Sequence, residues 1–292
     1  MNLPTGLIEA IVTAVGTPIA AVKPVGGGDI SSAARVDWVD GRQAFVKWRS
    51  DGPAGLFTAE RRGLERLRSA NALRVPEVLA QSEATHDSPA FILMTWLERG
   101  AERPGVAEAL GQGLAALHRV THDAYGLDHD NFIGANPQPN QSAADWVTFF
   151  HEQRLGFQME LAGRNGYLSS TRARRLAKLL ARLSDWLPSD PPASLLHGDL
   201  WGGNWLVTAA GEPALIDPAV YYGHREADLA FTELFGGFSG AFYAAYNQAW
   251  PLEPGYQERK DLYNLYHLLN HLNLFGEGYG GSVDSILRRY GG

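Results

Sequence analysis

A glycine-rich segment in the second half of the chain constrains its fold and chemistry most strongly. It reads His197-Gly-Asp199-Leu-Trp-Gly-Gly-Asn204, and Asp217 follows thirteen residues later in Leu-Ile-Asp-Pro. The run Pro213-Ala-Leu-Ile216 before Asp217 predicts a short strand that presents this carboxylate. Turn geometry alone explains a single Gly-Asp pair. Two carboxylates and one amide at fixed spacing instead indicate oxygen ligands for a metal ion beside an acid–base group.

The spacing matches the catalytic loop of kinases, in which an asparagine follows five residues after the aspartate. Asn204 lies five residues after Asp199. Phosphoryl transfer needs a carboxylate that orients the attacking hydroxyl, and oxygen ligands for the Mg²⁺ that neutralises the phosphates. We therefore predict that Asp199 accepts the proton of the acceptor hydroxyl and that Asn204 and Asp217 are metal ligands. His197 is expected to brace the loop by hydrogen bonding.

Lys47 and Glu60 form the predicted phosphate clamp. Lys47 lies in the apolar run Phe-Val-Lys-Trp, and Glu60 follows thirteen residues later in a helical pattern. A lysine that holds phosphates is commonly paired with a helical glutamate in this way. A lysine in a strand can also simply extend its ammonium group into solvent, so the assignment depends on the two residues together.

A glycine run precedes this pair and is the candidate phosphate loop. Gly27, Gly28 and Ser31 lie in Gly-Gly-Gly-Asp-Ile-Ser, between two strand patterns. Glycines let backbone N–H groups approach phosphate without a Cβ clash. The run lacks both the Walker A and the G-x-G-x-x-G pattern, and a plain hairpin turn explains these residues equally well.

Two further stretches are assigned by position. Met94, Thr95 and Trp96 end an apolar strand and are predicted to offer backbone groups to adenine, although a buried strand end has the same composition. Trp201 lies two residues after Asp199 between glycines. It is a candidate platform for a sugar face, and packing of the loop is an equal alternative.

Composition excludes several classes of protein. The 292 residues contain no cysteine, which excludes disulfides, thiol catalysis and cysteine-ligated metal. The net charge is −7 without a basic block, so neither nucleic acid nor an anionic membrane is an expected partner. There is no long apolar run and no basic segment followed by an apolar one at the N-terminus, so a cytoplasmic location is expected.

The periodicity of apolar residues predicts an α+β architecture in two lobes. Five strands and one helix by about residue 96 are expected to form a small, mostly antiparallel N-terminal ATP-binding lobe, residues 1–96. A larger, mainly helical catalytic and substrate lobe is expected over residues 97–292. The predicted helices are residues 7–15, 56–67, 106–118, 143–162, 171–186, 226–235, 239–250 and 255–274. Element ends are predicted to within about two to four residues.

Sequence blocks along nearly the whole chain resemble the fructosamine kinase (ketoamine kinase) family. The blocks are Phe57-Thr-Ala-Glu60, Leu117-His-Arg119, Asp130-Asn-Phe-Ile-Gly134, Pro137-Gln-Pro-Asn140, Asp145-Trp146 with Phe149-Phe150 and Arg154-Leu155, the segment 197–204, the segment 217–228, and Leu262 to Phe275. The resemblance implies a protein-kinase-like fold and ATP- and Mg²⁺-dependent phosphorylation of the third-carbon hydroxyl of a sugar ketoamine. The product then breaks down and frees the amine.

The resemblance also implies the acceptor, which is a glycated small amine or a glycated lysine on a protein. Some members of the family form disulfide-linked dimers through a cysteine in the phosphate loop, and a chain without cysteine cannot do so. Two alternatives stay open: a kinase for another small amine or sugar alcohol, similar to aminoglycoside or choline kinases, and a nucleotide-binding pseudokinase scaffold. Retention of Lys47, Asp199, Asn204 and Asp217 argues against the scaffold.

Overall fold

A computed structural model describes residues 3–26 and 31–292. The chain forms two compact units. One comprises Met1–Val106 with Leu206–Pro218, and the other comprises Ala107–Trp205 with Ala219–Gly292. The segment that carries Asp217 therefore belongs with the first unit. The division of function between lobes at residues 96 and 97 stays a prediction.

The first unit is built on a five-stranded antiparallel sheet with strand order β1-β2-β3-β5-β4. Side chains of β3 alternate between its two faces, so Ala44, Val46 and Trp48 are buried while Lys47 points to the opposite face. Helix α1 covers the buried face with Leu7 and Ile11. The elements are α1 (Thr5–Val15), β1 (Ile19–Pro24), β2 (Ser32–Trp38), β3 (Gln43–Arg49), α2 (Leu56–Ser69), β4 (Val78–Ser82) and β5 (Ala90–Thr95).

Two hairpins complete the first unit. At the predicted Asp40-Gly41 turn, the N–H of Trp38 donates to the carbonyl of Arg42 (2.9 Å), and Gly41 has a φ of 84°. The second hairpin joins strands β10 (Trp205–Val207) and β11 (Pro213–Leu215). The N–H of Leu215 donates to the carbonyl of Arg74 (2.8 Å), which ties the strand before Asp217 to the first unit.

The second unit is mainly helical, with a small antiparallel sheet of strand order β12-β9-β6. Helix α9 runs through its core, and its apolar residues are buried along most of its length. The helices are α3 (Val106–His118), α4 (Trp146–Phe149), α5 (Phe157–Arg164), α6 (Ser170–Leu180), α7 (Glu226–Leu234), α8 (Gly240–Ala249), α9 (Tyr256–Phe275) and α10 (Gly280–Gly291). The strands are β6 (Thr121–His122), β7 (Asn131–Ile133), β8 (Asn136–Gln138), β9 (Ala193–Leu196) and β12 (Tyr221–His224).

The predicted helix over residues 143–162 is interrupted. It begins only at Trp146, because the Asp145 carboxylate caps the helix by accepting from the N–H of Thr148 (2.8 Å). The stretch Phe150–Gly156 is π-helical. A Cβ at Gly156 would lie 2.7 Å from the carbonyl oxygen of His151, so a glycine suits the widened turn.

The predicted helix over residues 171–186 is also shorter than expected. It ends at Leu180, and a separate 3₁₀ turn follows at Leu183–Asp185. The β7–β8 hairpin and helix α10 were not predicted. Within the described residues, no helix is long and apolar enough to span a membrane.

Candidate active site

In the first unit, Lys47 is held between two carboxylates. Its Nζ atom lies 2.8 Å from Oε1 of Glu60 on helix α2 and also forms an ion pair with Asp217. Side chains of Lys47 and Glu60 are each only 14% exposed, whereas that of Asp217 is 41% exposed. The two sequence-predicted clamp residues thus meet, and the predicted metal ligand Asp217 joins them.

Electrostatics keeps this lysine charged. Burial disfavours the ammonium form, but the attraction of Asp217 and then of Glu60 outweighs it and raises the pKa of Lys47. Burial, together with the nearby Asp217 charge, raises the pKa of Glu60 despite the attraction of Lys47. The result is a permanent cation of the kind that binds phosphate.

The backbone at Asp217 is unusual. Its φ is 55°, a left-handed value that only Asn71 shares among the non-glycine residues that the structure describes. Such conformations cost energy in most side chains, less so in aspartate, and often occur at functional sites. This turn follows β11 directly and gives the carboxylate its direction toward Lys47.

In the second unit, Asp199 and Asn204 meet within one loop. The amide nitrogen of Asn204 donates to Oδ2 of Asp199 (3.0 Å) and to its carbonyl oxygen (2.8 Å). The N–H of Asp199 donates to Nδ1 of the buried His197 (3.3 Å), as expected for a residue that braces the loop. Asp199 is therefore oriented from both sides while its side chain stays partly exposed.

The buried carboxylate of Asp228 holds the backbone of this loop by hydrogen bonds. Its carboxylate accepts from the N–H groups of His197 (2.7 Å) and Gly198 (2.9 Å), and from Nε2 of His118 (3.2 Å). Burial opposes its charge, but the bond from His118 and the nearby positive groups prevail and lower the pKa of Asp228. Asp228 therefore braces the loop, and His118 is a further partner that the sequence reasoning missed.

A second brace holds the segment that follows Asp217. The N–H of Ala219 donates to the carbonyl of His197 (2.9 Å), and a Cβ at Gly198 would lie 2.0 Å from the carbonyl oxygen of Ala219. Only glycine fits there, and its φ of 81° also favours glycine. The amides of Asn131 and Gln138 donate to the carbonyls of Val220 (2.8 Å) and Ala219 (3.0 Å) respectively.

Arg154 anchors this brace from inside the π-helical stretch. It is fully buried and donates to the carbonyl of Pro139 (2.6 Å) and to Oδ1 of Asn140 (2.8 Å). Its guanidinium lies 3.9 Å from the ring centroid of Tyr221 and 4.6 Å from that of Phe149, within cation–π range. Asn131, Gln138 and Arg154 lie in the sequence blocks that resemble the family. The sequence alone did not show that they hold the segment after Asp217.

Trp201 both packs and stays accessible. A Cβ at Gly203 would lie 2.3 Å from the indole ring, so the ring rests over Gly203, while 41% of the residue is exposed. His224 is buried, with Nδ1 2.7 Å from the hydroxyl of Tyr263, and this contact gives it a structural role. The role of Trp201 toward a sugar stays a prediction.

The other predicted nucleotide contacts are only partly described. Gly27 and Gly28 lie outside the described residues, and Ser31 is a partly buried residue just before β2. Met94 is buried in β5. The N–H of Thr95 donates to the carbonyl of Glu77 (2.8 Å) and its hydroxyl accepts from the N–H of Glu77 (2.9 Å).

Those two bonds join Thr95 to the segment that precedes β4. The indole of Trp96 donates to Glu98 (2.6 Å) and lies tilted beside Phe45, with ring centroids 6.3 Å apart. The assignment of Met94, Thr95 and Trp96 to adenine stays a prediction.

The donor groups proposed for magnesium have the right chemistry. Asn204 uses its amide nitrogen toward Asp199, so a cation would be bound through the amide oxygen. Asp217 offers a carboxylate, and hard oxygen ligands of these two kinds suit Mg²⁺. No group of three or more His, Asp or Glu side chains that could hold a metal ion by itself occurs in residues 3–26 and 31–292.

Comparison with known proteins gives consistent matches over the chain. The family model described as fructosamine kinase matches residues 6–290. A protein named "probable ketoamine kinase" in Synechocystis is 44% identical over 86% of this chain and 84% of its own. The chloroplastic protein-ribulosamine 3-kinase of japonica rice is 39% identical over 94% of this chain and 80% of its own. A crystal structure assigned as a fructosamine-3-kinase, from Thermobifida fusca, has a TM-score of 0.87 at 33% identity and covers 98% of both chains.

Proposed function

The chain belongs to the fructosamine kinase family, and we propose that it is a kinase that transfers phosphate from ATP to a sugar hydroxyl of a ketoamine. The acceptor is a fructosamine or ribulosamine, formed when a sugar condenses with an amine. The phosphate goes to the third-carbon hydroxyl, and the unstable product then breaks down and frees the amine. Glycated small amines and glycated lysines on proteins are the substrates, and the cytoplasm is the proposed location.

One observation carries the proposal at the level of chemistry, and it is the geometry around Asp199. A partly exposed carboxylate is oriented by Asn204 at 3.0 Å on a loop that Asp228 fixes through two backbone N–H groups. An alcohol acceptor needs a positioned base of this kind. We assign Asp199 to the acceptor hydroxyl and Trp201, two residues later, to the face of the sugar.

Nucleotide binding is assigned to the first unit. Lys47, kept charged by Glu60 and Asp217, binds phosphate oxygens of ATP. Asn204 and Asp217 would hold Mg²⁺, which neutralises phosphate charge when bound. Asp217 is ion-paired with Lys47, so the same carboxylate would serve the phosphate clamp and the metal ion.

A coupled ATP assay tests the proposal. ATP turnover in the presence of Mg²⁺ should rise when erythrulosyl-, ribulosyl- or fructosyl-lysine is added, since the acceptor completes the reaction. Asp199→Asn should retain nucleotide binding but lower kcat by about 10²- to 10⁴-fold, the usual contribution of a positioned base. Unchanged turnover in this variant would reject the assigned role.

The same assay separates the alternatives. Nucleotide binding without turnover on any acceptor would indicate a pseudokinase scaffold. Turnover with choline, an aminoglycoside or a free sugar alcohol, but with no ketoamine, would indicate a kinase of another acceptor class. Stimulation by ketoamines alone supports the proposal.

A further inference from the structure

An exposed aromatic surface lies in the second unit apart from the groups assigned above. Phe235 and Phe275 are 44% and 50% exposed, unusually high for large apolar side chains. His271 lies between them, with ring centroids 5.1 Å from Phe235 and 5.6 Å from Phe275, and it lies 5.0 Å from Tyr279. We refer to Phe235, His271, Phe275 and Tyr279 as the aromatic surface.

This surface adjoins the loop that carries Asp199 and Trp201. A Cβ at Gly202 would lie 3.1 Å from the carbonyl oxygen of Gly236, and a Cβ at Gly237 would lie 2.7 Å from Cα of Gly202. The two backbones are therefore in direct contact through glycines. Phe235 directly precedes Gly236 and Trp201 directly precedes Gly202, so one end of the aromatic surface and the proposed sugar platform are attached to backbones that touch.

The charge of this region favours a cationic ligand over an anionic one. Residues 219–287 contain eight acidic side chains and three basic ones. Each of those three is engaged: Arg259 pairs with Glu226, Lys260 pairs with Glu233, and Arg225 donates to the carbonyls of Trp250 and Pro251. Arg172 and Arg289, which lie outside this stretch, pair with Glu277, Asp284 and Asp261 within it. Burial lowers the pKa of His271, so its imidazole is neutral at pH 7.

We propose that the aromatic surface binds the amine side of the acceptor, meaning a cationic nitrogen carried on an aliphatic chain, as in a glycated lysine side chain. Aromatic faces attract ammonium groups and pack against methylene groups, whereas the basic side chains named above are already paired or hydrogen-bonded. This inference rests on the proposed function, because it assigns a second part of the same acceptor. It makes the enzyme selective for the amine as well as for the sugar.

The test compares two acceptors that share one sugar. The ketoamine of Nα-acetyl-lysine amide carries the full aliphatic chain, while the ketoamine of methylamine carries only the cationic nitrogen. The ratio of their kcat/KM values should fall about two- to fivefold in Phe235→Ala and in Phe275→Ala, as expected for loss of an exposed methylene contact that only the lysine adduct makes. The double variant should lose about tenfold.

Matched controls come from the first unit. Val39 and Leu79 are exposed to 62% and 43%, similar to the two phenylalanines, and Val39→Ala and Leu79→Ala should leave the ratio unchanged. A double variant whose ratio equals that of the wild type overturns the inference. An equal fall for both acceptors also overturns it, because the surface then makes no contact with the aliphatic chain that only the lysine adduct carries.

A third acceptor tests the charge argument. The ketoamine of 6-aminohexanoate has a comparable chain that ends in a carboxylate, and its kcat/KM in the wild type should lie below that of the lysine amide adduct. An equal or higher value overturns the preference for a cationic ligand. If the wild type phosphorylates no ketoamine at all, the proposed function fails first, and that outcome is seen before any variant is made.

Discussion

Lys47 and Asp199 are each held in place, but by groups of different kinds. In the first unit, Lys47 contacts Glu60 and Asp217. The charged side chains proposed to bind ATP therefore hold one another in place. In the second unit, the loop of Asp199 is held by the buried carboxylate of Asp228, and the adjoining segment 219–220 is held by the buried amides of Asn131 and Gln138. A substitution in the first set should alter ligand binding, and one in the second should alter folding and turnover together.

The largest effect is expected for Asp228→Asn. The carboxylate accepts two backbone N–H groups and the His118 ring, and an amide cannot replace both acceptor oxygens. Breaking one partner of a buried charged network costs about 3–5 kcal/mol. Denaturant unfolding should show a loss of this order, together with loss of turnover.

The matched control for this variant is Glu233→Gln on the same helix. Glu233 is partly exposed and pairs with Lys260 near the surface. Its loss should cost at most about 1 kcal/mol. Similar losses of stability for the two variants would contradict the contrast between the buried brace and the surface pair.

A smaller effect, and one of a different kind, is expected for Lys47→Met. Removing a charged partner of phosphate should weaken ATP binding by about 10- to 100-fold, from the roughly 1.5–3 kcal/mol of such hydrogen bonds. The free energy of unfolding should change by less than the Asp228→Asn loss. Isothermal titration with ATP and Mg²⁺, alongside denaturant unfolding, measures both quantities.

Lys23→Met on the same sheet is the control for Lys47. Lys23 is 62% exposed and lies 3.7 Å from Asp37, so its loss should leave the Kd for ATP unchanged. If Lys47→Met lost stability without losing affinity, Lys47 would be a structural residue and the clamp would be wrong.

The smallest expected effect is on the pH dependence of the free energy of unfolding, through His267. Burial, with smaller contributions from neighbouring charges, lowers the pKa of His267 to about 3, and its ring stacks on Phe231 at 3.6 Å. Because the unfolded chain binds a proton near pH 6.5 and the folded one does not, stability is lost as pH falls below about 6.5. Lys47, with its raised pKa, stays charged over this range.

His267→Phe keeps an aromatic stack and removes this titration. At pH 5.5 the variant should have lost about 1 kcal/mol less than the wild type, relative to each protein at pH 7.5. Unfolding titrations at the two pH values measure the difference. Parallel losses in the two proteins would show that His267 does not carry the acid sensitivity.

The regular elements and the charged residues followed from the sequence. The apolar strand pattern around Lys47 and the helical pattern around Glu60 predicted that the two residues form a pair. In the structure, Nζ of Lys47 lies 2.8 Å from Oε1 of Glu60. These signals are local, since each depends on spacing within a few turns or strand residues. The five-stranded antiparallel sheet and the long helix α9 were predicted for the same reason.

The braces could not be predicted, because they join residues far apart in the sequence. Asn131 reaches the carbonyl of Val220, and His118 reaches Asp228, and neither contact leaves a periodic signal. The π-helical turn at Phe150–Gly156 was missed because its apolar pattern resembles that of an α-helix. Arg154 is buried although it is charged. Aromatic rings and carbonyl groups that come together only in the folded chain stabilise it.

Because Trp201 is exposed, quenching of its fluorescence can report on its surroundings. All eight tryptophans lie in the described residues, and Trp201 is the most exposed of them, at 41%. Trp38, Trp48 and Trp146 are buried. A collisional quencher of indole fluorescence would therefore reach Trp201 first. A sugar stacked on that ring would shield it, so emission can report acceptor occupancy in a sample where no phosphate is transferred.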